Sequence, residues 1–322
     1  MTTHLPPTAL LLSATLVLGC DRKRDDFRDC SGVDTSLAEE LPTMLSQAGL
    51  YDDIETESLA ENALEFTPRF PLWTDGATKR RWLLLPPGEA VDTRDPGDWV
   101  FPVGTRTFKE FTRDGVRVET RLNLKTSDGW AAASYHWDEA GSDATLQLNA
   151  ADNVGGTAHD VPSATECAAC HGGRGDFTLG FSATQLDGEA RTSLFEAGVL
   201  SDPVEAALEL DPTAAEGLGY LHGNCSHCHN PTRDQQPQAT DCYAPGERNE
   251  FDLTLPHDLG DVARAPAVRT ARSQLGGPRD SKVLDRMSTR VQDDDRPAMP
   301  PLGTELVDEE GLAAVRALIE TL

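Results

Sequence analysis

Two pentapeptides in this chain have residue types and spacing that point to one chemistry: Cys167-Ala-Ala-Cys170-His171 and Cys225-Ser-His-Cys228-His229. Cys-x-x-Cys-His is the attachment signature of a c-type haem. Two cysteines one helical turn apart can bond both vinyl-derived carbons of a porphyrin, and the adjacent histidine then reaches the iron. On this reading Cys167, Cys170, Cys225 and Cys228 tether two haem c groups, and His171 and His229 are the proximal iron ligands. Other chemistries of paired cysteines fit less well. A structural zinc site draws on two knuckles separated by a short spacer, whereas 54 residues lie between Cys170 and Cys225 and each knuckle ends in histidine. A thioredoxin-like dithiol needs a strand before it and a helix after it, and Gly172-Gly173 follows the first motif.

The two sites part at the sixth ligand. Arg296-Pro-Ala-Met299-Pro-Pro-Leu-Gly follows the second motif, and a methionine in a proline-stiffened loop there resembles the distal loop of class I cytochromes c. Met299 is therefore expected on the second iron, where a thioether raises the potential by favouring the ferrous state. Met287 is the competitor, but beside Val283 and Leu284 it reads as a core residue of a helix. From Gly172 to Leu221 there is neither Met nor His. The first iron must take its distal ligand from His136, His159, His222 or Met287, or have none.

The elements that position these residues can be read from periodicity. Residues 35–50 form an apolar stripe of helical spacing through Leu37, Leu41, Met44 and Leu45. From Phe66 the period changes. Val116, Val118, Thr120, Leu122 and Leu124 alternate with Arg117, Glu119, Arg121 and Asn123, as in a half-buried strand. Asp114-Gly115 supplies a turn from the run Thr105–Phe111, Trp130–Trp137 makes a third strand and Thr145–Leu148 a fourth. Beyond residue 150 helices and Gly-rich loops take over. Thr213-Ala-Ala-Glu216 has capping-box form before a helix that runs into the second motif, and Asp308 can cap a C-terminal helix carrying Leu312, Val315, Leu318, Ile319 and Leu322.

The expected architecture is α+β and multidomain: a β-rich N-terminal domain followed by mostly α-helical, cytochrome c-like haem domains. Residues 1–19 are read as a signal peptide, 20–34 as a tether and 35–150 as helix plus β-rich domain. Residues 151–202 then form the first haem-binding segment, and 203–322 a cytochrome c-like domain with the second haem.

The start of the chain bears on where this chemistry happens. Thr8–Gly19 is an apolar run too short to span a bilayer but suited to an export signal. Its ending, Val17-Leu18-Gly19-Cys20, resembles a bacterial lipobox, which implies cleavage before Cys20 and a lipid on that cysteine; a plain secretory signal is the alternative. Of seven cysteines, four go to haem and one to lipid, leaving Cys30 and Cys242 as a candidate disulfide or as two separate thiols. With 28 Lys plus Arg against 54 Asp plus Glu, the formal charge is −26, which excludes a nucleic acid as a sensible partner. Lys79, Arg80 and Arg81 form one compact basic run that could dock an acidic partner or lie on a solvated strand edge.

Segments across residues 45–320, among them PLWTDGATKRRWLLLPPG (71–88), WVFPVGTRTFKEF (99–111), VPSATECAACH (161–171), NCSHCHNP (224–231) and MPPLG (299–303), resemble a family of exported bacterial di-haem c-type cytochromes. The resemblance implies two covalent haems, a Met loop and export. The expected function is single-electron transfer between redox protein partners at the cell envelope, with the membrane reached through the lipid. The alternative is a peroxidase-like or substrate-activating enzyme, with the first haem catalytic and the second as relay.

Overall fold

A computed structural model describes residues 35–173, 176–204, 210–231, 251–257, 264–274, 281–291, 298–300 and 303–321. Cys20, Cys30 and Cys242, and with them the signal, tether and disulfide readings, lie outside the described residues.

The largest element is a six-stranded antiparallel sheet in which each strand pairs with its sequence neighbours. It runs β3 (Leu64–Glu65), β4 (Thr78–Leu84), β5 (Arg106–Arg113), β6 (Val116–Thr126), β7 (Gly129–Trp137) and β8 (Ala144–Gln147). Two small hairpins flank it in sequence: β1 (Tyr51–Asp53) with β2 (Ser58–Leu59), and β9 (Ala151–Val154) with β10 (His159–Val161). The β5–β6 connection turns where Asp114 and Gly115 both take positive φ, 51° and 80°, as a tight hairpin turn requires.

One face of the sheet is apolar. Trp82, Leu84, Phe108, Leu122, Ala133, Tyr135 and Trp137 pack there against Ala38, Leu41, Leu45 and Leu50. The covering segment is less helical than its stripe suggests. It contains only α1 (Ser36–Glu39) and a 3₁₀ turn at Leu45–Gln47, because Pro42 interrupts the run.

A bulge in β6 alters the expected alternation. Phe111 pairs with Glu119 but Thr112 pairs with Arg117, so Val118 is the surplus residue. Val118 joins Phe111 and Ala77 in a buried cluster, and Arg117 lies over the Trp137 ring at 3.6 Å instead of sharing a face with Arg121.

The expectation of a mostly α-helical, cytochrome c-like second half is corrected by the structure. The molecule is β-rich, with seven α-helices among the described residues. Three precede the second motif's helix: α1, α2 (Ala164–His171) and α3 (Gly188–Glu196). The others are α4 (Pro212–Asn224), α5 (Pro266–Gln274), α6 (Lys282–Met287) and α7 (Glu309–Thr321). Among the described residues α5 spans nine residues and α6 six.

α4 and α7 do pack closely, since a Cβ on Gly217 would stand 2.5 Å from Leu318. They share a buried cluster with Leu253, Val268, Leu284 and Met287, and earlier chain packs on it. The segment before β4 straps across α4, with Phe70 against Gly219 and Gly223 and Asn224 Oδ1 accepting from the Trp73 N–H at 2.7 Å. Asp75, at its end, accepts from the N–H groups of Glu305 and Leu306 at 2.8 and 2.9 Å. Residues 177–200 likewise join the sheet side: Phe181, Leu186, Leu194 and Leu200 share one buried cluster with Leu83, Val91, Trp99 and Phe101.

The cap of α4 also differs from expectation. Asp211, with Pro212 behind it, accepts from the Ala214 N–H, so the cap lies two residues before Thr213 and the helix starts at Pro212. At α7, Asp308 accepts from the Gly311 N–H at 2.9 Å, as its position suggested.

Candidate haem-attachment sites

The first motif occupies α2. Ser163 accepts from the Glu166 N–H and Glu166 reaches back to the Ser163 N–H, a complete capping box that fixes where the helix begins. Cys167 and Cys170 are thus one turn apart on one helix. Cys167 is buried with Ala168, Ala132 of β7 and Phe177, and burial pushes its thiol up to about 11. None of the four motif cysteines is in a disulfide.

The loop after α2 is tied down by Asp176. Its carboxylate accepts from Lys125 Nζ at 2.7 Å, Trp130 Nε1 at 2.8 Å and the Phe101 N–H. Phe177 then lies parallel to Trp130, with ring centroids 5.8 Å apart, and presents its carbonyl to His171. The His171 Nδ1 to Phe177 O distance is 2.8 Å. A carbonyl can only accept, so Nδ1 carries the proton and Nε2 keeps the lone pair that an iron needs. Burial, aided by Lys109 nearby, pushes the His171 pKa down to about 3, so the ring is neutral. The structure thus fits a haem at the first motif: two thiols a turn apart and a histidine held in the ligating tautomer.

The second motif begins at the C-cap of α4 and is folded in turns. The N–H groups of Cys228 and His229 both donate to Cys225 O, at 3.1 and 2.8 Å, and the Leu253 N–H donates to His229 O at 3.0 Å. The His229 ring lies 6.0 Å from that of Phe251. Cys225 packs on the apolar cluster of Leu218, Leu221, Leu253, Leu255 and Met287, and burial pushes its thiol up to about 12. Met287 is a core residue of that cluster, as its helical setting suggested. Met299 sits in a loop pinned from α6 onward: its N–H donates to Arg286 O at 3.1 Å, and Arg290 donates to the carbonyls of Met299 and Pro300.

The two motifs meet. Asn230, next after His229, donates from Nδ2 to Gly173 O at 3.1 Å, two residues past His171, and also to Ser226 O at 2.8 Å. Among the described residues, no three of His, Cys, Asp or Glu gather into a group able to hold a metal ion.

The distal candidates for the first iron separate on their hydrogen bonds. His222 Nδ1 accepts from the Leu255 N–H at 3.1 Å. Its neutral ring therefore carries the proton on Nε2, the reverse of His171. His159 Nε2 faces Glu119 Oε1 at 3.1 Å and donates to it. His136 Nε2 is buried and has no hydrogen-bond partner among the described residues.

Sequence reasoning missed the sheet face beneath α2. Lys79, Arg81, Lys109, Glu119, Arg121, Ser134 and His136 share it, and Arg81, Lys109 and Arg121 stand directly opposite one another on β4, β5 and β6. Glu119 is fully buried and pairs with Arg121 and His159. Burial opposes its charge, but these two partners prevail and hold its pKa down at about 2.

Arg81 is 6% exposed, and neither it nor Lys109 has a hydrogen-bond or ion-pair partner among the described residues. Burial, with Arg81 and Arg121 adding to it, pushes the Lys109 ammonium down to about 7. A cleft bordered by Arg81, Lys109, Arg121, Asn123, Phe66 and His171 opens over this face. The basic run Lys79–Arg81 is consequently no docking patch. Its members alternate across the sheet, Arg80 pairing with Glu65 on the outside while Lys79 donates to Leu72 O and Arg81 turns inward. The matching alternation on β5 and β6, with Lys109 and Arg121, was the available signal.

Comparison with family models, with curated proteins and with solved structures finds no match to this chain.

Proposed function

We propose that this chain is an exported di-haem c-type cytochrome that passes single electrons between redox proteins at the cell envelope, anchored by a lipid on Cys20. The haems would be held by Cys167 and Cys170 and by Cys225 and Cys228, with His171 and His229 as proximal ligands and Met299 on the second iron. Bound iron supplies the one-electron chemistry, and the chain supplies tethers, axial nitrogens and electrostatic surroundings.

The observation that carries this reading is the Asn230–Gly173 hydrogen bond, which joins the ends of the two motifs across 57 residues of sequence. Electron transfer falls steeply with distance, and two tethered centres side by side are what a relay needs. The His171 Nδ1–H to Phe177 O bond supports it independently, because it selects the ligating tautomer.

A redox titration followed by visible absorbance tests the reading. Two one-electron transitions at different potentials are expected; a protein without a Soret band sinks it.

The enzymatic reading keeps one supporting observation: His159 and His222, two of the distal candidates, are engaged by Glu119 and by the Leu255 N–H. The EPR spectrum of the oxidised protein separates the two. A high-spin ferric signal with peroxide turnover favours the enzyme. Two low-spin signals favour the carrier, and one of them should turn high-spin in His136→Ala if that ring caps the first iron.

A further inference from the structure

We propose that Arg81 and Lys109 form a carboxylate-binding site, and that its occupants are the propionate groups of the haem tethered at Cys167 and Cys170. The inference rests on the di-haem reading above and adds the residues that would hold the charged edge of the first porphyrin.

Arg81 and Lys109 are direct cross-strand neighbours, and Lys109 in turn opposes Arg121. Like charges in that register destabilise a sheet, and here they do so at its centre. A buried cation without a counter-charge is a severe penalty for any fold. The chain has 54 acidic residues, yet among the described residues Glu119 is the one carboxylate that the strands place on this face, and Arg121 and His159 engage it, while Asp176, from the loop after α2, engages Lys125 and Trp130. With Lys79 donating to Leu72 O, Arg81 and Lys109 are the cations left without a partner among the described residues, and they fit a charge that arrives from outside the polypeptide.

The chemistry of that charge follows from the cleft. A guanidinium presents two parallel N–H groups that match a carboxylate, and an ammonium beside it can take a second oxygen. His171, the proposed iron ligand, borders the same cleft, so a group bound there lies next to the axial imidazole. A porphyrin fixed by Cys167, Cys170 and that ring carries two carboxylates of its own.

The test compares the full-length holoprotein with the Arg81→Gln/Lys109→Gln variant by redox titration, with haem content measured in both. Removing the cations that stabilise the electron-rich ferrous form is expected to lower one of the two midpoint potentials and leave the other in place, with both haems still covalently bound. Arg81→Lys and Lys109→Arg, made separately, keep the charge and are expected to shift that potential less; they also serve if the double variant does not fold.

Unchanged potentials in charge-removing variants that keep two haems overturn the site while the di-haem reading stands. Adding acetate to the wild type distinguishes the source of the carboxylate. A saturable shift in potential or Soret band means that a dissolved anion fills the site and overturns the propionate assignment, whereas no response supports it. Wild-type protein lacking haem altogether overturns the underlying reading as well.

Discussion

The same pentapeptide is built into two different settings. The first motif lies along a capped helix over a buried, cation-rich sheet face, and Phe177 fixes the orientation of its histidine. The second is folded in turns at the end of α4 and leans on an apolar cluster, with a methionine loop held by Arg290 further along the chain. The local sequence determines that a tether can form. The surrounding fold determines charge, tautomer and distal ligand, and these are what set a redox potential. On the di-haem reading, two irons in such unlike settings should not titrate together.

The largest effect is expected from removing one tether at a time. Cys167→Ser/Cys170→Ser and Cys225→Ser/Cys228→Ser should each lose one haem, halving the Soret absorbance and leaving one transition, and the two single-haem proteins should differ in potential. Equal potentials would erase the contrast between the sites.

Next comes Glu119→Gln, which deprives Arg121, whose side chain is 16% exposed, of its counter-charge. A loss of about 3–5 kcal/mol in urea unfolding is expected. The same carboxylate gives a pH signature. Its folded pKa, about 2, lies below its ordinary value, so it stabilises the fold above the unfolded pKa, near 4.5, and that contribution fades as pH falls towards 2. In Glu119→Gln this part of the acid dependence should vanish.

On the other side, Gly223→Ala would put a Cβ 2.5 Å from the Phe70 carbonyl oxygen and push the strap off α4. About 1–3 kcal/mol is expected from such overpacking, with the visible spectrum of the second haem perturbed more than that of the first. The smallest effect belongs to Asn230→Ala. Losing its hydrogen bonds should cost about 1 kcal/mol of stability and slow electron exchange between the haems, measured by flash photolysis, without changing haem content.

Much of the sheet was legible because alternation and turn chemistry agree there. The run 116–124, the Asp114-Gly115 turn and the stretch 130–137 all fall where β5, β6 and β7 form. The motifs themselves were legible as spacing. The bulge at Val118 was not, since nothing in the alternation marks a surplus residue, and it moves Arg117 to the opposite face from Arg121. The character of the second face was misread for a related reason: Lys109, Arg121 and Asn123 alternate as solvent-facing residues would, and only the position of α2 and its loop turns them inward. The mostly helical second half was an extrapolation from two good helices, α4 and α7, to a chain whose largest element is the six-stranded sheet. The contact between the motifs depends on Asn230 and Gly173, neither of which bears any local signal of its partner.

Asp176 gives that arrangement a particular economy. One carboxylate gathers an ammonium from β6, an indole from β7 and a backbone amide from the segment before β5, and the next residue steers His171. The aim of the imidazole is therefore referenced to three separate stretches of chain. On the di-haem reading, a disturbance in any of them would reach the proposed axial histidine as a small rotation, so substitutions at Lys125 or Trp130, remote in sequence from either pentapeptide, should show up in the colour of the protein before they show up in its melting.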